Sequence, residues 1–460
     1  ADTDGHGENT AVGYAALAEA TSGTNNTAVG SSAMGSAQVT GNLNTAMGYL
    51  AGALITSGAQ NTMIGGTAGD ALTEGDKNVA VGYGSLSAAF AGNNTTAVGY
   101  KALNVQQHAS AAGQDFDNVA VGFEAGKSIT TGSNSAIVGA KAGDALTTGE
   151  GNVALGYSAL STEVAGGKNT AIGARSQEDL NNNGNGNNVS VGFESMLNAS
   201  TAIGNTAIGS SAIGGGVTTG GFNTSVGYLS GFDLTSGADN TFVGSENGSN
   251  TTTGGSNTAI GNEAFFTATI GNFNVAAGHF ALNKSLHGYY NTAIGAFALE
   301  DYNGTDGEGN NVAIGKSSQA EATTGQFNTS VGTSSIGVGI TTGDYNTAIG
   351  YQAGLSVTSG ANNTVIGAEA GDALTSGGQN VAIGFQALSS EDANGTAVAV
   401  GYRALKTLNA AAQSYNIAVG YDAGLLMTTG VENTIVGALA GDAVTTGARN
   451  SFFGKDAGSS

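Results

Sequence analysis

The sequence predicts an all-β fold: a parallel β-solenoid of the β-roll kind, with about 26 coils and a 17-residue period. Three observations predict it. The motif N-T-A-V-G, or a close variant, recurs from Asn9 to Gly454 in 26 copies. Most copies stand 17 residues apart, and a fixed period this short means one supersecondary unit stacked on itself. Proline is absent, as suits uninterrupted strand ladders, to which proline cannot donate. The whole chain, 1–460, therefore reads as a single repetitive domain preceded by a short acidic segment, 1–8.

Each coil can be laid out with the motif glycine as position 0. Position −4 is Asn in 23 of the 26 copies, the exceptions being those ending at Gly99, Gly139 and Gly401. Position −1 is Val, Ile, Leu, Met or Phe everywhere except Ala277, and position −2 is usually Ala or Ser. Alternate residues of a strand face opposite ways, and the large aliphatic at −1 (Val12, Ile208, Ile383) is expected inside. A turn such as Thr56-Ser57-Gly58 or Thr445-Thr446-Gly447 closes each unit. Strand, turn, second short strand and turn fill 17 residues, so a two-stranded coil is expected. Gly at 0 permits a positive φ, and Asn at −4 can stack amide on amide.

Two further patterns bear on packing. Position +1 is Tyr or Phe in 12 copies, always with Ala or Ser at −2, and never where −2 is bulky (Met63, Ile137, Phe242, Val365, Ile435, Phe452). Sites that exclude each other's bulk are expected to fill one volume. The turn A-G-D-A-L or A-G-D-A-V at Ala68, Ala142, Ala370 and Ala440 marks a duplicated block of four coils. A roll this thin has a meagre core of its own, and lateral association, as a homotrimer or another lateral oligomer, is expected to supplement it.

Composition narrows the function classes. A net charge of −22 and a pI near 4.2 oppose nucleic acid, whose phosphates demand a basic surface, and acidic membrane surfaces. No apolar run approaches the ~20 residues of a membrane span. Without cysteine there is neither a disulfide framework nor a thiolate site. His6, His108, His279 and His287 are too scattered for a conventional zinc site.

Candidate sites are few. Asp2 and Asp4, in D-T-D-G-H-G-E, have the alternating oxygens and sharp Gly turn of a calcium loop. Asp301, Asn303 and Asp306, in D-Y-N-G-T-D-G-E-G, form a second possible calcium site. The aspartates of the A-G-D turns read as turn caps. The stretch from Gly122 through Gly126-Lys127-Ser128 is one residue short of a phosphate loop and falls on a repeat turn. No catalytic triad or carboxylate pair stands out, so no enzymatic activity is expected. Lengthened intervals after Gly99, Gly173 and Gly295 carry Gln106–His108, Glu178–Asn188 and Asp301–Asn310, and loops inserted in a solenoid bulge from one coil.

The run of N-T-A-V-G and N-T-A-I-G units followed by Y-x-A-L-type turns resembles the head domain of trimeric autotransporter adhesins. In period it is similar to bacterial and phage tail-fibre repeats, as at Asn291-Thr292-Ala293-Ile294-Gly295. The resemblance implies a trimer of parallel β-rolls exposed on a cell or virion, attaching to a cell-surface glycan or protein. Coiled-coil heptads, a membrane-anchor barrel and a C-terminal chaperone segment are not found. Repeats run from Asn9 to within six residues of Ser460, and solenoids normally carry polar caps. A fragment, or a subunit of an extracellular filament polymerised end to end, is therefore the alternative expectation. An ice-binding surface is a weaker one.

Overall fold

The structure, a computed structural model, describes residues 7–107, 114–182, 184–304, 309–337 and 339–459. It is an all-β parallel β-solenoid of about 25 turns. The chain forms two compact units, Ala1–Leu229 with Leu234–Ser236, and Ser230–Asp233 with Gly237–Ser460. Each unit holds thirteen motif strands of three residues, from Thr10–Val12 to Thr224–Val226 in the first and from Thr241–Val243 to Ser451–Phe453 in the second. Within a unit each strand residue faces its counterpart one coil on: Thr10 lies opposite Thr27, and Thr347 opposite Thr364. Thr, Val and Ile at −3 and −1 suit a pleated surface. Glycine ends each strand: Gly350 has φ +139°, and a Cβ there would lie 2.6 Å from the carbonyl carbon and oxygen of Gly367 in the next coil.

The register differs from expectation by one residue. Position −2, not −1, points inward: Ala28, Ala46, Ala348 and Ala382 are fully buried. Val12 is 58% and Ile208 40% exposed, and Ile383 is half-buried. The reason is the thinness of the coil. Leucine at +4 on the opposite wall, as at Leu103, Leu160, Leu282 and Leu388, is fully buried. Between the two walls there is room for that leucine against alanine, not against a second large aliphatic.

The opposite wall is not a strand. Positions +2 and +4 adopt left-handed conformations, for example Lys101 at φ 52° and Leu103 at φ 47°. The wall still bonds to both neighbouring coils, Lys101 N–H donating to the Tyr83 carbonyl at 2.9 Å and Leu103 N–H to the Ala125 carbonyl at 3.1 Å. A left-handed non-glycine residue costs about 1–2 kcal/mol, which inter-coil hydrogen bonds and leucine burial offset.

The asparagine ladder forms as expected. Asn44 donates from its backbone N–H to Asn26 Oδ1 at 2.9 Å and from Nδ2 to the Gly58 carbonyl at 2.8 Å, and Asn61 repeats the pattern with Asn44 and Gly75. These amides are buried, so each satisfies backbone groups that no water reaches. Where the motif lacks Asn, Ser135 Oγ accepts from Asn152 N–H at 3.2 Å.

The expected exchange of volume between +1 and −2 does not occur, because the +1 rings point outward while −2 points inward. What a bulky −2 displaces is the +4 leucine. All six bulky copies carry Gly at +4 (Gly69, Gly143, Gly248, Gly371, Gly441, Gly458), and the coil before each carries Gly there as well. Met63 shows why: a Cβ on Gly52, one coil earlier, would lie 2.7 Å from its Sδ, and one on Gly69 3.0 Å from its Cγ.

Candidate functional sites

Because −2 and −4 are interior, the alternate positions −5, −3, −1 and +1 project outward and line up in columns along each unit. The −3 column is mostly Thr or Val, with Ala136, Ile417 and Ser451 as exceptions, and the −1 column mostly Val or Ile. Exposed members of the −1 column include Val121, Leu155 and Ile208 in the first unit and Ile260, Ile294 and Ile349 in the second. The +1 column adds rings. Tyr83, Tyr100 and Phe123 stack with centroids 5.7 and 5.3 Å apart, and Phe385, Tyr402 and Tyr421 at 5.4 and 5.1 Å. Beside these rings stand +2 charges: Lys101 lies over Tyr100 at 5.3 Å and Arg403 over Tyr402 at 5.0 Å. Arg403 also grips Asp422 of the next coil through two bonds, 2.8 and 2.5 Å long, and these hold its charge more firmly. A second aromatic column stands at −5 in the second unit, where Phe273 stacks on Tyr290 and Phe327 on Tyr345.

The lengthened intervals are tied down by buried polar groups. Gln106 is fully buried, with Nε2 3.4 Å from Thr95 Oγ1. Its loop returns through a two-residue pairing of Gly92–Asn93 with Gln114–Asp115, and Phe116 is buried beside it. His108 lies outside the described residues. Glu163 is buried beneath the loop after Gly173. It accepts from Gly166 N–H at 2.7 Å and Ala165 N–H at 3.2 Å in its own turn, and from Asn182 N–H at 3.0 Å in the next coil. In the second unit Glu391 likewise accepts from Asn394 N–H at 3.1 Å and Ala410 N–H at 3.3 Å. Burial raises both carboxyls above the ordinary glutamate value, opposed by the N–H donors. Both occupy +7, where other coils place Leu72, Leu146 or Leu374. A glutamate at a leucine position was the available signal.

Of the possible calcium ligands, only Asp301 and Asn303 fall within the described residues, and they line one open cavity. Asp2, Asp4 and Asp306 lie outside the described residues. Asp301 Oδ1 pairs with Lys284 Nζ at 2.5 Å, and Asn303 is exposed, its N–H donating to the Thr323 carbonyl at 2.9 Å. Among the described residues there is no group of three His, Cys, Asp or Glu that could hold a metal ion. Lys284, Asp301, Asn303, Glu321, Thr323, Thr324 and Ile340 line an open cavity of about 610 Å³. At the shortened phosphate-loop motif, Lys127 pairs with Glu124 at 3.4 Å and Gly126 packs towards Ile129 and Leu103. Burial raises Asp70, Asp144 and Asp372 of the A-G-D turns above the ordinary aspartate value, and backbone N–H groups oppose the shift. His279 packs against Phe280 and Phe297.

No family model matches the chain, and no curated protein matches it. What is established is a β-solenoid repeat protein with a period of about 17 residues.

Proposed function

We propose that the protein is an extracellular fibrous attachment protein, an adhesin or tail-fibre-like chain on a cell surface or virion, that works as a lateral homotrimer and catalyses no reaction. The observation that carries this reading is the outward strand face, where the −1 column, mostly Val and Ile, stands exposed or half-buried along the strands of each unit beside the −3 column and interrupted runs of +1 rings. Thirteen strands at ~4.8 Å, each projecting about six residues of width, give an area on the order of 1,000 Å² per unit. Monomers rarely expose contiguous apolar patches beyond a few hundred Å², and a stable interface needs about 800 Å² per partner. The face is self-complementary in period, since a second copy of this chain presents the same inter-coil spacing. Association would leave the loops around Gln106, Glu178–Asn188 and Asp301–Asn310 for contact with a surface. The resemblance to autotransporter heads and tail fibres supports the same reading.

Sedimentation velocity tests it. The parent is expected at three times the 44.7 kDa chain mass, and a variant carrying Ile208→Lys and Ile349→Lys as a folded monomer. A parent that stays monomeric at micromolar concentration overturns the lateral assembly. Filaments of indefinite length would favour end-to-end polymerisation instead.

A further inference from the structure

We infer that a gap in the −5 aromatic column of the second unit, walled by Tyr290 and Phe327 and floored by Asn310, is a binding slot for a pyranose sugar. Five successive coils place Phe273, Tyr290, Asn310, Phe327 and Tyr345 at this position. All five are left-handed, with φ of 59°, 56°, 60°, 57° and 57°, so their side chains leave the backbone in the same direction. Each directly precedes a ladder asparagine, and those asparagines are bonded in sequence: Asn311 N–H to Asn291 Oδ1 at 3.1 Å, Asn328 N–H to Asn311 Oδ1 at 2.9 Å, and Asn346 N–H to Asn328 Oδ1 at 2.8 Å. The register therefore runs unbroken through Asn310 while the rings do not.

The rings on either side are nearly parallel. Phe273 and Tyr290 stack at 5.0 Å with planes 2° apart, and Phe327 and Tyr345 at 4.9 Å with planes 1° apart. All four are 45% to 56% exposed. Tyr290 and Phe327 are two coils apart, which sets their rings ~9.6 Å from each other. A guest between two carbon faces needs roughly 7–8 Å if it is one atom thick. The slot is thus loose for a flat aromatic and suits a puckered ring that carries hydrogens on both faces. Asn310 is shorter than a phenyl ring, so it covers the inner part of each wall, leaves the outer part open, and offers two N–H donors and a carbonyl acceptor.

Two apolar faces and a polar floor match a pyranose, which has C–H groups on its faces and hydroxyls around its rim. The ring faces stacked within each pair are covered by each other. Among the described residues, no ring stacks on the faces of Tyr290 and Phe327 that look into the gap. The assignment deepens the attachment reading and rests on it only for its biological purpose.

Saturation-transfer NMR on the full chain, with methyl β-glucopyranoside and methyl β-galactopyranoside as probes, tests the slot. Transfer to the sugar ring protons is expected at millimolar concentration. Asn310→Phe would complete a five-ring column in a conformation that Phe273 and Phe327 already adopt; it is expected to melt like the parent and abolish transfer. Tyr290→Ala removes one wall and is expected to weaken binding about tenfold. Undiminished transfer in Asn310→Phe, or none in the parent, overturns the proposal. Sugar binding by a chain that attaches to no cell would sustain the slot and defeat the attachment reading, whereas attachment without transfer would do the reverse.

Discussion

The Phe242 ring occupies the space that a side chain on Gly248 would need: a Cβ there would lie 2.8 Å from both Cε2 and Cζ of the ring. Gly248 has φ +59°, a conformation that leucines at the same position adopt throughout the solenoid. Replacing it is therefore a steric matter and not a torsional one. Gly248→Leu is expected to destabilise the second unit by about 1–3 kcal/mol through overpacking. Adding Phe242→Ala restores the small/large pairing found in most coils and should recover most of that loss. Denaturant unfolding of the two variants checks this, and a double variant no more stable than Gly248→Leu would refute the shared volume.

The asparagine ladder makes a sharper demand. Asn61 Oδ1 accepts from Asn78 N–H at 2.9 Å, and its Nδ2 donates to the Gly75 carbonyl at 2.8 Å. Asn61→Ala leaves both backbone groups buried and unpaired, for a loss of about 2–4 kcal/mol. Hydrogen exchange should accelerate in the coils around Asn44, Asn61 and Asn78 before it does so in the second unit. Uniform acceleration, or none, would contradict a local ladder.

At the strand ends, Gly350→Ala must adopt φ near +139° and press its methyl into the backbone of Gly367. No flexible side chain can yield there, so a loss of several kcal/mol is expected, of the order given for backbone strain and overpacking combined. A thermal midpoint within a degree of the parent would show that the coils can slide apart to make room.

Stability should rise on mild acidification. Glu163 and Glu391 have folded-state values above the ordinary glutamate value, chiefly through burial. The folded state therefore holds their protons more tightly than the unfolded chain does. The stabilisation is complete below the unfolded value and is lost as pH rises through the raised folded one. Asp70, Asp144 and Asp372 act in the same direction. Circular-dichroism melts from about pH 7 down to about pH 5 should show a climbing midpoint, with a shallower climb when Glu163→Gln and Glu391→Gln remove two of the groups. A midpoint that falls over this range would refute the sign.

The period, the parallel ladder and the asparagine stack were legible because each follows from backbone geometry repeated at fixed spacing. The inward face was not, because size was equated with burial. Val and Ile at −1 are large, yet large apolar residues remain common at the surface, and the interior volume was already claimed by leucine at +4. The glycine substitution at +4 beside Met63 or Phe242 carried that information. So did the pairing of Ser at −2 with Ser at +3, where Ser190 Oγ donates to the Ser195 carbonyl at 2.8 Å and Ser330 Oγ to that of Ser335 at 2.7 Å. The sugar slot could not be read beforehand, since a lone Asn310 between aromatic positions acquires meaning only once −5 is known to face outward.

Within each unit, the described strand of a coil pairs only with the strands of its immediate neighbours, by rows of hydrogen bonds that close together at one level. Under mechanical load this makes each unit a stack of similar links, each resisting until its whole row gives way and then releasing one coil of chain. Seventeen residues, the commonest spacing, extend to about 60 Å. A tethered molecule would lengthen mostly in steps of about that size, with longer ones at the lengthened intervals, shedding force one coil at a time while the remaining coils stay folded.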